Sequence, residues 1–328
     1  MAKTVKKATK MIKEEGAENN KLEKALLELE NEFGLKSLKK DKVESTSSGS
    51  YMIDRATGIG GIPNGKVVEI WGPESSGKST IVQHIMASYQ KTYPDKKVAY
   101  FDYEYSLDPI YASAIGINMD TLLVYQPDNQ EVGMDMICQL VEKGIVSLVV
   151  IDSHTAATPK KIIEGEMGDA TMAMQARNNS KFFAKIKGPL ERTKTTLIGV
   201  SQTRANIGGM GDVIIPTGGN AWKFYADMRL KIWKQLDKEK ESNKTTLDVV
   251  KNKCANPYGK AEFDILWGVG IFVEKEILDL AIEKGMIKRS GSWFSYNDSN
   301  IGQGAESVCQ LFKDNVDLYN EIKEKVLT

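Results

Sequence analysis

Between residues 66 and 202 the chain repeats one alternation. Short runs rich in β-branched and aromatic residues, KVVEIWG, KVAYFDYE, LLVYQP, SLVVIDS and TTLIGVSQ, are separated by longer amphipathic stretches. The runs are apolar on both faces and the stretches between them have helical spacing. That order predicts an α/β fold, a mostly parallel sheet covered by helices on both faces. After residue 222 the pattern changes: MRLKIWK, TTLDVVKNK and AEFDILWG are separated by polar turns and predict strands joined antiparallel. A boundary is expected near residue 270. Beyond it EKEILDLAIEKGMI reads as helix, SGSWFSY as strand, and ESVCQLF and LYNEIKEKVL as helices, a small α+β unit. In front of the main body, NKLEKALLELENEF at 20–33 places Leu22, Leu26, Leu29 and Phe33 at helical spacing, with Asn20 as N-cap and Gly34 as stop. One helix cannot bury that stripe against itself, so it must dock on the body or on another subunit; the charged, Ser-rich linker at 35–50 permits either. The expected division is therefore 1–50 for the arm, helix and linker, 51–270 for the main body and 271–328 for the small unit.

Composition narrows the classes. A chain of 328 residues is long enough for one large domain with satellites or for two domains. Its 44 basic and 44 acidic residues balance, so no overall field attracts a polyanion, and any nucleic-acid site must be a local concentration of Lys and Arg. Cys138, Cys254 and Cys309 are far apart, and His84 and His154 cannot complete a zinc set with them. The expectation is a reduced, cytoplasmic protein without a structural metal. No apolar run approaches the roughly 18 residues a membrane span needs. The start, MAKTVKKATKMIK, is Lys-rich but has no Arg, which suits a solvated basic arm better than a targeting peptide.

The candidate chemistry begins at GPESSGKS, residues 72–79, which fits the phosphate-binding pattern G-x-x-x-x-G-K-[ST]. Gly72 and Gly77 can take backbone angles closed to other residues, so that successive N–H groups point inward at phosphate oxygens. Lys78 would neutralise the β and γ phosphates and Ser79 would offer its hydroxyl to Mg2+. KVVEIW precedes as a buried strand, and Ile81, Val82, Ile85 and Met86 follow at helical spacing, which puts the phosphates at a helix N-terminus. Gly72, Pro73, Glu74, Ser75, Ser76, Gly77, Lys78, Ser79 and Thr80 form the expected nucleotide-binding set.

Three further strand ends supply partners. SLVVIDS ends in Asp152, the position from which a carboxylate holds the water shell of Mg2+; alone it reads equally as the start of a turn. His154 beside it is expected to be structural or merely exposed. FDYEYSLDP concentrates Asp102, Glu104 and Asp108, and hydrolysis needs a carboxylate or amide to orient the attacking water, a part for which Glu104 is the candidate. A solvated acidic turn is the competing reading. Gln202, closing TTLIGVSQ, would sense the γ-phosphate or serve as an ordinary polar cap.

Taken together, GPESSGKS, YFDYEYSLDPIYA, LVVIDS, IEGEMGD, TGGNAWKFYADMRL, VVKNK and SWFSYNDSNIGQG resemble the bacterial RecA recombinase family, in order and with similar spacing, over roughly residues 20–326. That family comprises ATP-dependent, filament-forming recombinases that pair single-stranded DNA with homologous duplex. The resemblance implies a RecA-like P-loop ATPase core over 51–270, with ATP and Mg2+ as cofactors, single-stranded and duplex DNA as partners, a helical homo-oligomer and no membrane. It gives Lys78 and Ser79 the phosphate and Mg2+ contacts, Glu104 the activation of water, and Asp108 and Tyr111 the adenine. Gln202 would couple the γ-phosphate to the segment after it. Lys251 and Lys253, two residues apart on a strand, share a face; lysine blunting of an edge strand is one reading. The family's reading is that both reach the ATP of the neighbouring subunit, with Phe224 at the same interface and Leu22 and Leu26 docking on the adjacent protomer. Ser79 stands where Thr is more usual, which keeps the hydroxyl.

Two segments would face DNA. EGEMGDATM at 164–172 contributes Glu164, Gly165 and Met172, with Arg177 beyond it; TRANIGGMGDVIIP at 203–216 contributes Arg204, Ile207 and Gly208 and has no aromatic. Gly218, Gly219 and Asn220 join this set by resemblance. An apolar tip such as Ile207 or Met172 would wedge between bases while the arginines meet phosphates. The implied activity is DNA-dependent ATP hydrolysis driving strand exchange in recombination and DNA repair. A ring helicase on the same core and a non-catalytic DNA-coating protein are the rival readings.

Overall fold

The computed structural model describes residues 43–166, 174–205, 214–216, 220–237 and 242–327, together with residues 21, 23–29 and 32. The chain divides into two compact units, Met1–Lys42 and Val43–Thr328. In the first, the described residues are helical, and Leu26, Leu27 and Leu29 are exposed.

The second unit opens with β1 (Ser45–Thr46), α1 (Tyr51–Thr57) and β2 (Ile62–Pro63), β1 and β2 forming an antiparallel pair. The five apolar runs then appear as β3 (Val67–Trp71), β4 (Lys97–Asp102), β5 (Leu122–Tyr125), β6 (Val146–Asp152) and β7 (Thr196–Ser201). Between them lie α2 (Lys78–Thr92), α3 (Pro109–Ile115), α4 (Gln130–Glu142), α5 (Lys160–Glu164) and α6 (Met174–Thr193). A short ribbon, β8 (Thr203–Ala205) with β9 (Ile214–Pro216), and helix α7 (Ala221–Tyr225) follow. The antiparallel run is β10 (Met228–Asp237), β11 (Ser242–Asn252), β12 (Lys260–Leu266) and β13 (Gly270–Ile271).

Among the described residues, nine strands join one sheet in the order β13-β12-β11-β10-β3-β7-β6-β4-β5. Pairing is parallel from β10 through β5 and antiparallel from β10 to β13. The two halves foreseen in the sequence are therefore fused along the β10–β3 pair. Because strand side chains alternate in direction, each parallel strand feeds two cores. Val68, Ile70, Val98, Tyr100, Leu148, Val150, Ile198 and Val200 enter the core beneath α2, whose Ile81, Val82, Ile85, Met86 and Tyr89 are fully buried. Val67, Ala99, Phe101, Val149, Ile151 and Leu197 meet α4, α6 and α7 on the other face. Each of the larger side chains, Ala99 excepted, contributes roughly 1.5–3 kcal/mol of transfer free energy.

The C-terminal part comprises α8 (Val273–Glu283), the antiparallel sheet β14 (Ile287–Ser290), β15 (Trp293–Tyr296) and β16 (Ser299–Gln303), then α9 (Ala305–Asp314) and α10 (Val316–Leu327). One buried polar contact ties α2 to the last strand of the large sheet, and another ties α8 to α1. His84 on α2 accepts the N–H of Ile271 at 2.9 Å, which requires a neutral ring, and burial holds its pKa at about 4. Glu276 on α8 is buried and accepts Ser50 Oγ at 2.5 Å and the N–H of Tyr51 at 2.8 Å, at the start of α1.

Candidate active site

The carboxyl ends of β3, β4, β6 and β7 lie along one edge of the sheet, where ligand crevices form in α/β folds. A cleft of about 720 Å³ opens there, lined by residues 74–80, Glu104, Tyr111, Asp152, Gln202 and residues 265–268. Two glycines shape the loop. A Cβ on Gly72 would sit 2.1 Å from the carbonyl oxygen of Ile232, and Gly77 has φ +92° directly before α2, with a Cβ 2.6 Å from Ile265. The first N–H groups of α2 therefore open into the cleft with no side-chain cap.

Lys78 is buried and donates to the carbonyls of Gly72 at 3.1 Å and Pro73 at 2.7 Å. Burial lowers its pKa, while Asp152, Glu104 and Glu74 pull it back up. Ser79 Oγ donates to Asp152 Oδ2 at 2.8 Å, and Tyr100 donates to the same oxygen at 2.9 Å. Asp152 is 1% exposed, and burial raises its pKa despite those two bonds, with Glu104 and Asp102 adding negative charge. A carboxylate so placed gains from a nearby cation. No group of three or more His, Cys, Asp or Glu able to hold a metal occurs among the described residues. One hydroxyl beside one buried carboxylate suits Mg2+, which keeps several waters and takes few protein ligands.

Glu104 is presented by a turn that Asp102 builds. The buried Asp102 carboxylate accepts the N–H groups of Glu104 at 3.2 Å, Ser106 at 3.0 Å and Leu107 at 3.2 Å. Gln202 Nε2 then donates to Glu104 Oε1 at 2.7 Å, joining the ends of β4 and β7 across the cleft. Tyr111 lies 3.2 Å from Thr80 Oγ1. Asp108 caps α3, accepting from the N–H groups of Ile110 at 2.8 Å and Tyr111 at 3.3 Å, and does not line the cleft. Ile265, Leu266, Trp267 and Gly268 escaped the sequence reading. The exposed Trp267 just past a strand end was the available signal.

Lys251 and Lys253 do not line the cleft either. Lys251 donates to the carbonyls of Lys223 at 2.8 Å and Phe224 at 3.1 Å, and Lys253 reaches Asp227 at 3.3 Å. Burial lowers the Lys251 pKa, helped by Lys253 and Arg229. Both therefore gather on the segment carrying Phe224, whose ring is 67% exposed. Of the DNA-facing candidates, Glu164 and Gly165 at the end of α5, Arg177 on α6 and Asn220 before α7 are exposed. Glu164 pairs with Lys160 at 3.5 Å. Leu22, Met172, Ile207, Gly208, Gly218, Gly219 and the side chain of Arg204 lie outside the described residues.

His154 is buried rather than exposed. Its ring stacks on Trp222, with centroids 4.3 Å apart and 12° between planes, and its Nε2 meets Ser201 Oγ, which donates to Glu69 at 2.8 Å.

Comparison with known proteins agrees with this geometry. The RecA N-terminal domain model matches residues 20–272 and the RecA C-terminal domain model residues 275–328. Protein RecA of Paracoccus denitrificans is 44% identical over 318 residues, covering 93% of this chain and 88% of that protein. Protein RecA of Caulobacter sp. strain K31 is 45% identical over 332 residues, covering 97% and 92%, and that of Caulobacter vibrioides strain NA1000 / CB15N is 42% identical over 335, covering 98% and 94%. With two domain models spanning the body and relatives above 40% identity along nearly its whole length, the chain belongs to the RecA family.

Proposed function

We propose that the cleft at the carboxyl edge of the sheet is where this recombinase binds and hydrolyses ATP, and that the residues lining it divide that work. Proteins of the RecA family are DNA-dependent ATPases that use ATP with Mg2+, bind single-stranded and duplex DNA, form helical filaments and act in strand exchange and DNA repair; this chain is one of them.

The loop at 72–80 receives the phosphates on its N–H groups. Lys78 exchanges its contacts with Gly72 and Pro73 for the β and γ phosphates, a swap favoured because a buried ammonium gains more from phosphate charge than from carbonyl dipoles. Ser79 and Asp152 would hold Mg2+, Asp152 through water, and the ion would neutralise charge on the phosphates. Glu104 orients the attacking water. Gln202, bonded to Glu104, is positioned to lose that bond when a γ-phosphate competes for its amide, which links nucleotide state to the segment that follows. Tyr111 and Trp267 offer aromatic faces to the base, with Asp108 nearby in the chain.

Filament assembly and DNA complete the reading. Leu22 and Leu26 dock on the adjacent protomer. Lys251 and Lys253, beside the exposed Phe224, reach the ATP of the neighbouring subunit. Glu164, Gly165, Met172, Arg177, Arg204, Ile207, Gly208, Gly218, Gly219 and Asn220 face DNA, apolar tips between bases and cations on phosphates. No described helix is long and apolar enough to cross a membrane. We place the protein in the cytoplasm, where its three free cysteines stay reduced.

The observation that carries this reading is that two hydrogen bonds, Ser79 to Asp152 and Gln202 to Glu104, lie in the one cleft that the phosphate loop lines. Steady-state ATP hydrolysis with and without single-stranded DNA, at fixed salt and Mg2+, tests it. Strong stimulation by DNA is expected; equal rates would remove the coupling between cleft and DNA-facing segments.

A further inference from the structure

Residues 153–158 follow Asp152 directly and belong to no helix or strand, yet they are tied down on several sides. The N–H of His154 donates to the carbonyl of Val200 on β7 at 3.1 Å. The N–H of Gln130 at the start of α4 donates to the carbonyl of Thr158 at 2.8 Å. The third tie comes from α6. Gln175, in the first turn of that helix, donates from Nε2 to the carbonyls of His154 at 3.1 Å, Thr155 at 3.2 Å and Ala157 at 3.0 Å. An amide has two N–H bonds, so these three acceptors share them. Part-buried carbonyls outside regular structure need partners, and Gln175 serves three at once.

The placement of this side chain is what gives it meaning. In the sequence Gln175 stands three positions after Met172, the last residue of the segment 164–172. The carbonyls it grips begin two residues after Asp152, whose carboxylate holds Ser79. One side chain thus joins the edge of the ATP cleft to the helix that the first DNA-facing segment leads into.

We propose that Gln175 is a positioning residue that carries the DNA-bound state of segment 164–172 to the Asp152 edge of the cleft through residues 153–158. The proposal rests on reading that segment as DNA-facing. DNA that reorients the first turn of α6 displaces the Gln175 amide. The three carbonyls follow it, and Asp152 is the next residue but one along the chain from the first of them. Coupling of this kind is ordinarily worth roughly 5- to 150-fold in the linked equilibrium.

Two variants separate coupling from simple support. Gln175→Met keeps the length and removes the donors; Gln175→Glu keeps the shape and turns an acceptor toward three carbonyls. Both are expected to bind single-stranded DNA with wild-type affinity and salt dependence and to hydrolyse ATP without DNA at the wild-type rate and KM. Both should lose most of the stimulation by DNA, at least fivefold. Hydrogen exchange gives a readout independent of turnover: DNA should change exchange at amides 153–158 in the wild type and not in either variant. Full stimulation in both variants, or in Gln175→Glu alone, would overturn the proposal, as would wild-type exchange at 153–158 that ignores DNA. A parallel fall in unstimulated hydrolysis and melting temperature would reduce Gln175 to a structural clamp and overturn it too. A wild-type protein with no DNA stimulation at all removes the DNA-facing reading itself, and the proposal with it.

Discussion

Replacing Glu276 by Gln should stabilise the protein at alkaline pH and leave it unchanged at acid pH. The carboxyl is 2% exposed and accepts from Ser50 and the N–H of Tyr51. Burial pushes its pKa from 4.5 up to about 7, with Asp54 adding a like charge and the bonds from Ser50, Tyr51 and Met52 opposing. Tyr319 on α10 also lies close enough to feel the charge, and Lys323 sits over the Tyr51 ring at 5.4 Å. Between pH 4.5 and 7 the folded state holds a proton that the unfolded chain has lost. Stability contributed by this group is therefore complete below pH 4.5 and is lost as pH rises through 7, up to roughly 3 kcal/mol. Gln is the neutral counterpart: its oxygen accepts from Tyr51 and its amide donates to Ser50 Oγ, as the protonated acid does. Thermal unfolding of both proteins from pH 4 to 8.5 should show coincident midpoints at the acid end. At pH 8 the variant should lead by something on the order of 5 °C. Taking the difference cancels groups that do not sense Glu276, such as Asp227, which burial pushes up but Lys187 holds below its ordinary value. A variant less stable than wild type at pH 8 would refute the reasoning, because the ionised carboxylate would then gain more from Ser50 and Tyr51 than its burial costs.

Three other expectations concern the cleft and its neighbours. Glu104→Gln should lower ATP turnover at least about 100-fold while ATP affinity, measured by equilibrium binding, stays within about twofold; unchanged turnover would remove the water-orienting role. Trp267→Ala should raise the KM for ATP roughly fivefold at constant kcat, the lower end of base–aromatic stacking for a half-exposed ring, and a change confined to kcat would count against a base contact. Mixing Lys251→Ala with wild-type subunits should depress ATPase activity more than dilution does if the lysine serves a neighbour's nucleotide; strictly proportional loss excludes that.

Much of this was legible in the sequence because it is local. The five apolar runs are β3 to β7, and a strand, a glycine loop and an amphipathic helix in direct succession locate the phosphate loop without any long-range information. What stayed hidden depends on contacts between distant segments. Tyr100 reads as one more apolar strand residue until β6 brings Asp152 beside it. His154 could not be told from an exposed residue because its partner Trp222 comes from a helix far along the chain. The rim at 265–268 reaches the cleft only because β12, three strands away from β3, turns there. Lys251 and Lys253 share a face as their spacing implied, but that face is the Phe224 surface and not the cleft of their own chain.

The position of β3 has a consequence for how the protein is made. Its two neighbours in the sheet are β7 and β10, with Val67 opposite Leu197 and Val68 opposite Met228, separations of roughly 130 and 160 residues. The strand that carries the phosphate loop has no early partner, because the segments synthesised just after it pair with one another farther out. A nascent chain therefore leaves this apolar strand unpartnered until β7 is made at residue 201 and leaves one of its edges bare until residues 228–231 of β10 follow, so nucleotide can help fold the protein only late. Such topologies close slowly and leave sticky edges open meanwhile. Ribosome-bound chains halted before β10 should bind neither ATP nor its analogues, whereas chains halted after β11 should bind them.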